Sequence, residues 1–141
     1  MKIISLFLPL ILGTIVGLII NSSEYISLNQ PPLAPPSILF PIIWSILYLL
    51  MGISYNLTSK TKDIKFIYYL QLIFNYLWSF IFFAFEMRFL AIIWIIILIF
   101  LVIIMIIRFY KDNKLSGYLQ IPYLIWLLFA LYLSIGIYIL N

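Results

Sequence analysis

Phe89–Ile107 reads FLAIIWIIILIFLVIIMII. The run holds no charge, no glycine and no proline, and it approaches the ~20 residues that carry an α-helix across a bilayer core. Backbone groups in hydrocarbon have no water to bond, so a run of this kind spans as a helix. A barrel strand would be about half as long and would alternate apolar with polar residues. Outward from this stretch, the chain repeats the pattern at Ile3–Ile20, Ile38–Leu57, Phe66–Phe85 and Tyr118–Leu140, none with an interior charge. The expected fold is all-α and integral to the membrane: a single five-transmembrane-helix bundle over residues 1–141.

Composition agrees. The chain is 67% hydrophobic and 9% charged, whereas a soluble domain averages about 45–50% apolar and about 25% charged. It has no cysteine and no histidine, which removes disulfides, thiol catalysis, structural zinc and the usual haem ligands. No metal and no cofactor is required by anything in the sequence. The net charge of +4 is not a nucleic-acid signal, because the basic residues sit in short clusters between apolar runs. Lys2 followed by an apolar run also fits a cleaved signal peptide, but the run is long for one and no A-x-A site follows in LIINSSEYIS.

Five spans alternate sides. One side then holds Lys2, Lys60, Lys62, Lys65, Arg108, Lys111 and Lys114, and the other holds Arg88. Lys and Arg accumulate on the cytoplasmic side, so the N-terminus is expected in the cytoplasm and the C-terminus outside. Residues 21–37 then form an external loop. It is dense in proline (Pro31, Pro32, Pro35 and Pro36) and runs on to Pro41. Proline lacks an N–H and stiffens the chain, so this loop suits a lid over a bundle mouth, although a rigid spacer is the alternative. Pro36 or Pro41 can open the second span.

Candidate functional residues are aromatics and amides at helical spacing. Trp44, Tyr48, Met51 and Tyr55 share a face of the second span. Gln71, Asn75 and Ser79 repeat every four residues in the third, beside Trp78 and Phe82. Pro122, Trp126 and Ala130 align in the fifth, with Phe129 and Ser134 close by. The polar stripe reads equally as glue between helices. Tyr110, Tyr118, Tyr138 and Trp94 read as interfacial anchors, and the fourth span as lipid-facing scaffold. Gly13 and Gly17 form a small-xxx-small pair that permits close helix approach. No intramembrane charge marks a proton relay or ion path, and no catalytic residue is assigned.

Tyr25, Leu28, Pro31-Pro32 and Pro35-Pro36, followed by Phe40, Trp44, Leu47-Tyr48 and Met51-Gly52, resemble the hallmark of the TspO/translocator-protein family, also called tryptophan-rich sensory proteins and peripheral-type benzodiazepine receptors. QLIFNYLWSFIFF in the third span and PYLIWLLFALYLS in the fifth extend the likeness over essentially the whole chain. The resemblance implies five membrane helices, often as a homodimer, with a pocket beneath the first loop, and heavy Ile, Lys, Asn and Tyr usage points to an AT-rich bacterial genome and so to a bacterial plasma membrane. It implies binding of porphyrins such as protoporphyrin IX and of other planar hydrophobic ligands. The pocket candidates are Tyr25, Pro35, Trp44, Tyr48, Asn75, Trp126 and Ala130. The implied function is a receptor in tetrapyrrole or stress regulation. Light-dependent porphyrin degradation and passive transport of amphipathic molecules are the alternatives. Two positions that hold tryptophan in the family are Glu24 and Leu33 here, and its lysine before the first proline pair is Gln30.

Overall fold

The computed structural model of the protein describes residues 2–20, 29–36 and 38–141, and of Lys2 the backbone alone. Helix α1 covers Lys2–Ile19, α2 Leu39–Leu57, α3 Lys62–Ser79, α4 Arg88–Asp112, α5 Lys114–Leu119 and α6 Ile121–Leu140. Four helical units are long and apolar enough to cross a bilayer: α2, α3 with its extension to Ala84, α4, and α5 with α6 taken together. The fifth, Ile3–Ile19, is a shorter apolar helix. No strand occurs among the described residues.

The helix ends obey local chemistry. Thr61 caps α3, its hydroxyl accepting from the Ile64 N–H at 3.4 Å, with Asp63 in the first turn facing the positive end of the helix dipole. Asn113 caps α5, its side-chain oxygen accepting from the Leu115 N–H at 3.0 Å. Pro41 falls in the first turn of α2, where its missing N–H leaves no gap in the ladder. The last span is broken at Gln120. Pro122 explains the break, since its ring cannot follow a carbonyl four residues back without a clash.

The end of α3 is unusual. Residues Phe80–Ala84 are π-helical, and the Phe85 N–H bonds the Phe80 carbonyl at 2.8 Å, five residues back. Such a wide turn is one extra residue set into an α-helix, and it is frequent at functional sites. The chain then reverses through Glu86, whose φ of 55° is left-handed.

Helix α4 is the lipid-facing scaffold expected, with one face added as a packing seam. Ala91, Ile95, Leu98, Val102, Met105 and Phe109 are all buried, at alternating spacings of four and three that form a coiled-coil type of seam. That seam meets α3 and α6, and α5 packs beside it. The rest of its surface, with Ile93, Ile97, Phe100 and Ile104, is exposed. Trp94 is no free anchor. Its indole stacks on Phe74 at 4.7 Å and its N–H donates to the Phe74 carbonyl at 3.0 Å, tying α4 to α3.

At the lysine-rich end the helices are stapled. Ser54 Oγ donates to the Ser116 carbonyl at 2.7 Å, and Ser116 Oγ returns the bond to the Ser54 carbonyl at 3.0 Å. Ser59 donates twice to the Asp112 carboxylate, and Asn113 donates to the Leu57 carbonyl. Helix α1 joins through Ser5 Oγ, which donates to Asn56 at 2.9 Å. Its backbone touches α2 so closely that a Cβ on Gly52 would lie 1.8 Å from the Leu6 carbonyl oxygen.

At the opposite end, the described part of the proline linker lies on α6. Pro31 packs on Gly136, where a Cβ would come within 2.6 Å of the proline ring. Tyr132 OH donates to the Pro32 carbonyl at 2.5 Å. Asn29 and Asn141 exchange bonds, the Asn29 N–H donating to Asn141 Oδ1 at 3.1 Å and Asn141 Nδ2 to the Asn29 carbonyl at 2.8 Å.

Candidate functional site

Helix α2 enters the lysine-poor half of the bundle with Phe40, Trp44 and Tyr48 spaced by four, so three rings stack along one face. Trp44 lies nearly parallel to Tyr48, with centroids 5.4 Å apart and planes at 25°. Behind this wall, Trp44 meets Tyr123 and Trp126 edge-on at 6.2 and 6.3 Å. Phe40 meets Phe83 and Trp126 at 5.8 and 6.1 Å. Edge-to-face pairs of this kind contribute about 0.5–1.5 kcal/mol each beyond area burial.

In front of the wall lies a cavity of about 350 Å³. Its far side is α1, through Gly13, Thr14 and Gly17, and its inner end is Ser79 and Phe83 of the α3 extension. Among the described residues, none that lines it is charged. Thr14 Oγ1 donates to the Leu10 carbonyl at 2.8 Å, and Ser45 Oγ donates to the Pro41 carbonyl at 2.6 Å. Both hydroxyl protons are therefore held within their own helices, and the oxygens offer lone pairs alone.

The Gly13 and Gly17 pair works inside this chain. A Cβ on Gly13 would sit 2.3 Å from the Tyr48 ring, so its absence is what lets that ring lie against α1. Gly17 faces open space, with nothing within 4 Å of a built Cβ. Tyr48 is further fixed by a buried relay. Its hydroxyl donates to Asn75 Oδ1 at 2.6 Å, Asn75 Nδ2 donates to Tyr123 OH at 2.8 Å, and Tyr123 OH donates to Gln71 Oε1 at 2.8 Å. Gln71 Nε2 ends the chain on the Tyr68 carbonyl at 2.9 Å. Each hydroxyl donates once, and three helices are joined through side chains that are all buried. Each interhelical bond of this kind is worth about 0.6–1.7 kcal/mol in a membrane.

The residues predicted from sequence fall at different depths around this cavity. Trp44 and Tyr48 line it. Asn75 stands one layer behind, holding Tyr48. Trp126 backs Trp44, with its indole N–H buried and without a hydrogen-bond partner. Ala130 is buried one turn further along α6, and Pro35 is buried in the linker. Tyr25 lies outside the described residues. Sequence reasoning missed Thr14 and Phe83 as wall residues; its close-approach reading of the glycine pair holds at Gly13, against Tyr48, whereas Gly17 faces the cavity. The one available signal was the Gly13–Thr14–Gly17 face itself, too small and too polar for a lipid-facing stripe.

Comparison with known proteins gives a consistent result. The sequence profile of the TspO/MBR family matches residues 5–140. The "Tryptophan-rich protein TspO" of Archaeoglobus fulgidus is 35% identical over 122 residues, covering 83% of this chain and 79% of that protein. The protein of the same name from Bacillus cereus is 32% identical over 86% of this chain and 83% of its own length. The "Tryptophan-rich sensory protein" of Cereibacter sphaeroides is 31% identical over 78% and 72%.

Proposed function

The chain belongs to the TspO/MBR family of multi-pass membrane proteins, and from that premise we propose that it is a receptor for planar hydrophobic ligands of the porphyrin type. The observation that carries the reading is the flat wall of Trp44 and Tyr48 facing an uncharged cavity. A planar ring gains stacking and apolar burial against such a wall at little cost in polar desolvation. Pockets in bundles are mostly apolar with few polar groups, and about 350 Å³ falls at the lower end of their usual range of about 300–1,000 Å³. Trp126 and Asn75 support the wall from behind, and Ala130, Pro35 and Tyr25 remain candidates for ligand contact on the family resemblance. The buried Trp126 N–H, lacking a partner, supplies a donor for a ligand acceptor once Trp44 shifts.

The same reading puts the chain in a bacterial plasma membrane with its lysine-rich loops in the cytoplasm, as the Lys/Arg asymmetry favours, and the proline linker outside as lid. Titration with protoporphyrin IX tests it, read by tryptophan quenching, because Trp78 and Trp94 remain as reporters. Trp44→Ala is expected to weaken binding at least tenfold, or ~1.4 kcal/mol. Equal affinity in the unmodified protein and a Trp44→Ala/Trp126→Ala double variant would discard the assigned site.

A further inference from the structure

We propose that the ligand reaches this site sideways out of the lipid, edge-first, through a crevice between the lysine-poor halves of α1 and α2. The inference rests on the receptor reading and adds the route and the bound orientation. Helices α1 and α2 form a wedge. At one end their backbones touch, Gly52 against the Leu6 carbonyl, and the Ser5–Asn56 bond holds them there. Two to three turns further along α1, Gly17 meets open space, and the helices are separated by the cavity itself.

The cavity also reaches the outside through this wedge. Leu18 on α1 is 83% exposed, and Gly17, Pro41 and Ser45 line the same space from its two lips. These residues belong to the flank that faces acyl chains. The proline linker, by contrast, is fixed to the other side of the bundle. Asn29, Pro31 and Pro32 are held on α6 by the Asn141 exchange, the Gly136 contact and the Tyr132 bond. Lifting that roof would break all three attachments, whereas passage between α1 and α2 breaks none of them.

Size and charge point the same way. A cavity of about 350 Å³ does not enclose a tetrapyrrole with its substituents, so part of the ring must protrude, and the crevice is the open side. Among the described residues the lining holds no cation to pair with a carboxylate. Acidic substituents therefore stay outside, beside Leu18 and Ile20 near the end of α1, at headgroup level. The ligand class is a membrane-dissolved planar ring with its polar groups along one edge.

The chain has no cysteine, so a Leu18→Cys/Ser45→Cys variant carries only two thiols, one on each lip of the crevice. In lipid vesicles, the variant is bridged with a bismaleimide either before or after protoporphyrin IX is added to the bilayer. Bridging first is expected to slow association at least tenfold, and bridging a loaded protein to slow release by a similar factor. The unbridged variant supplies the reference rates against which both bridged forms are read. Gly17→Phe repeats the block without thiol chemistry. Unchanged rates in both the bridged protein and Gly17→Phe overturn the lateral route while leaving the receptor reading intact. Absence of quenching in the unmodified protein overturns the receptor reading and the route with it.

Discussion

The two ends of this bundle are built on different principles. At the lysine-rich end, backbone meets backbone, and hydroxyls and amides lock α1, α2, α4 and α5 together: Gly52 on Leu6, Ser54 with Ser116, Ser59 on Asp112. At the other end α2 meets α6 ring on ring, α1 and α2 part at Gly17, and α3 finishes in a π turn, while hydrogen bonds there fasten the proline linker onto α6. Directional bonds with short reach give a base with one geometry. Aromatic contacts tolerate sliding and tilting, which suits a mouth that must take in a flat guest and let it go. The difference locates rigidity and adaptability in one bundle, at opposite ends of the same helices.

The largest test of this contrast is Gly52→Val. A Cβ there would overlap the Leu6 carbonyl, which is backbone and cannot swing aside. Forcing α1 off α2 should cost about 3 kcal/mol or more, at the upper end of overpacking penalties. Thermal unfolding in detergent, monitored by circular dichroism, should show a marked drop in Tm or loss of folded protein. A variant that folds with unaltered Tm would break the picture of a clamped base.

Asn75→Leu should have an intermediate effect. It strands the buried Tyr48 hydroxyl, worth about 1–3 kcal/mol when left unpaired, and removes the bond Tyr123 accepts, while Tyr123 still donates to Gln71. The expected loss is about 2 kcal/mol by the same thermal assay, with weaker porphyrin quenching because the Tyr48 ring is no longer held. Loss of stability with full retention of quenching would confine the relay to a structural role.

The smallest effect is expected at Gly17→Ala, the mirror image of Gly52. Nothing lies within 4 Å of the added methyl, so stability should stay within about 0.5 kcal/mol, as for an open surface site. A Tm drop comparable to that of Gly52→Val would mean that the two ends are equally tight and would remove the contrast.

Much of the fold was legible because charge-free runs are unambiguous. Phe89–Ile107 announces a membrane helix whatever its neighbours do. Its packing face was not legible, because lipid and protein interior are equally apolar and an Ile-rich run gives no contrast between them. The seam from Ala91 to Phe109 emerges only once α3 and α6 are in place. Trp44 and Tyr48 were readable as a pair, since a spacing of four puts them on one face. The edge contact of Trp44 with Trp126 was not, because it depends on how α2 and α6 approach. The α1 wall was hidden by the ambiguity of its glycines, which look the same at a helix junction and beside a void. The break at Gln120 was not read from the sequence, because the apolar run on both sides of Pro122 looks like one continuous span.

The wide turn at Phe80–Ala84 governs how this sequence tolerates change in length. One residue more than an α-helix needs lets Phe82 stack on Trp78 while its neighbour Phe83 turns toward the cavity. Excising one of the five would restore ordinary winding while leaving the flanking chain close to its present phase, because the wide turn already absorbs the extra residue. The same deletion one turn earlier, in the regular part of α3, would rotate everything downstream by about 100°. The wide turn is thus the place in α3 where the chain tolerates loss of a codon, at the cost of the separate headings of Phe82 and Phe83.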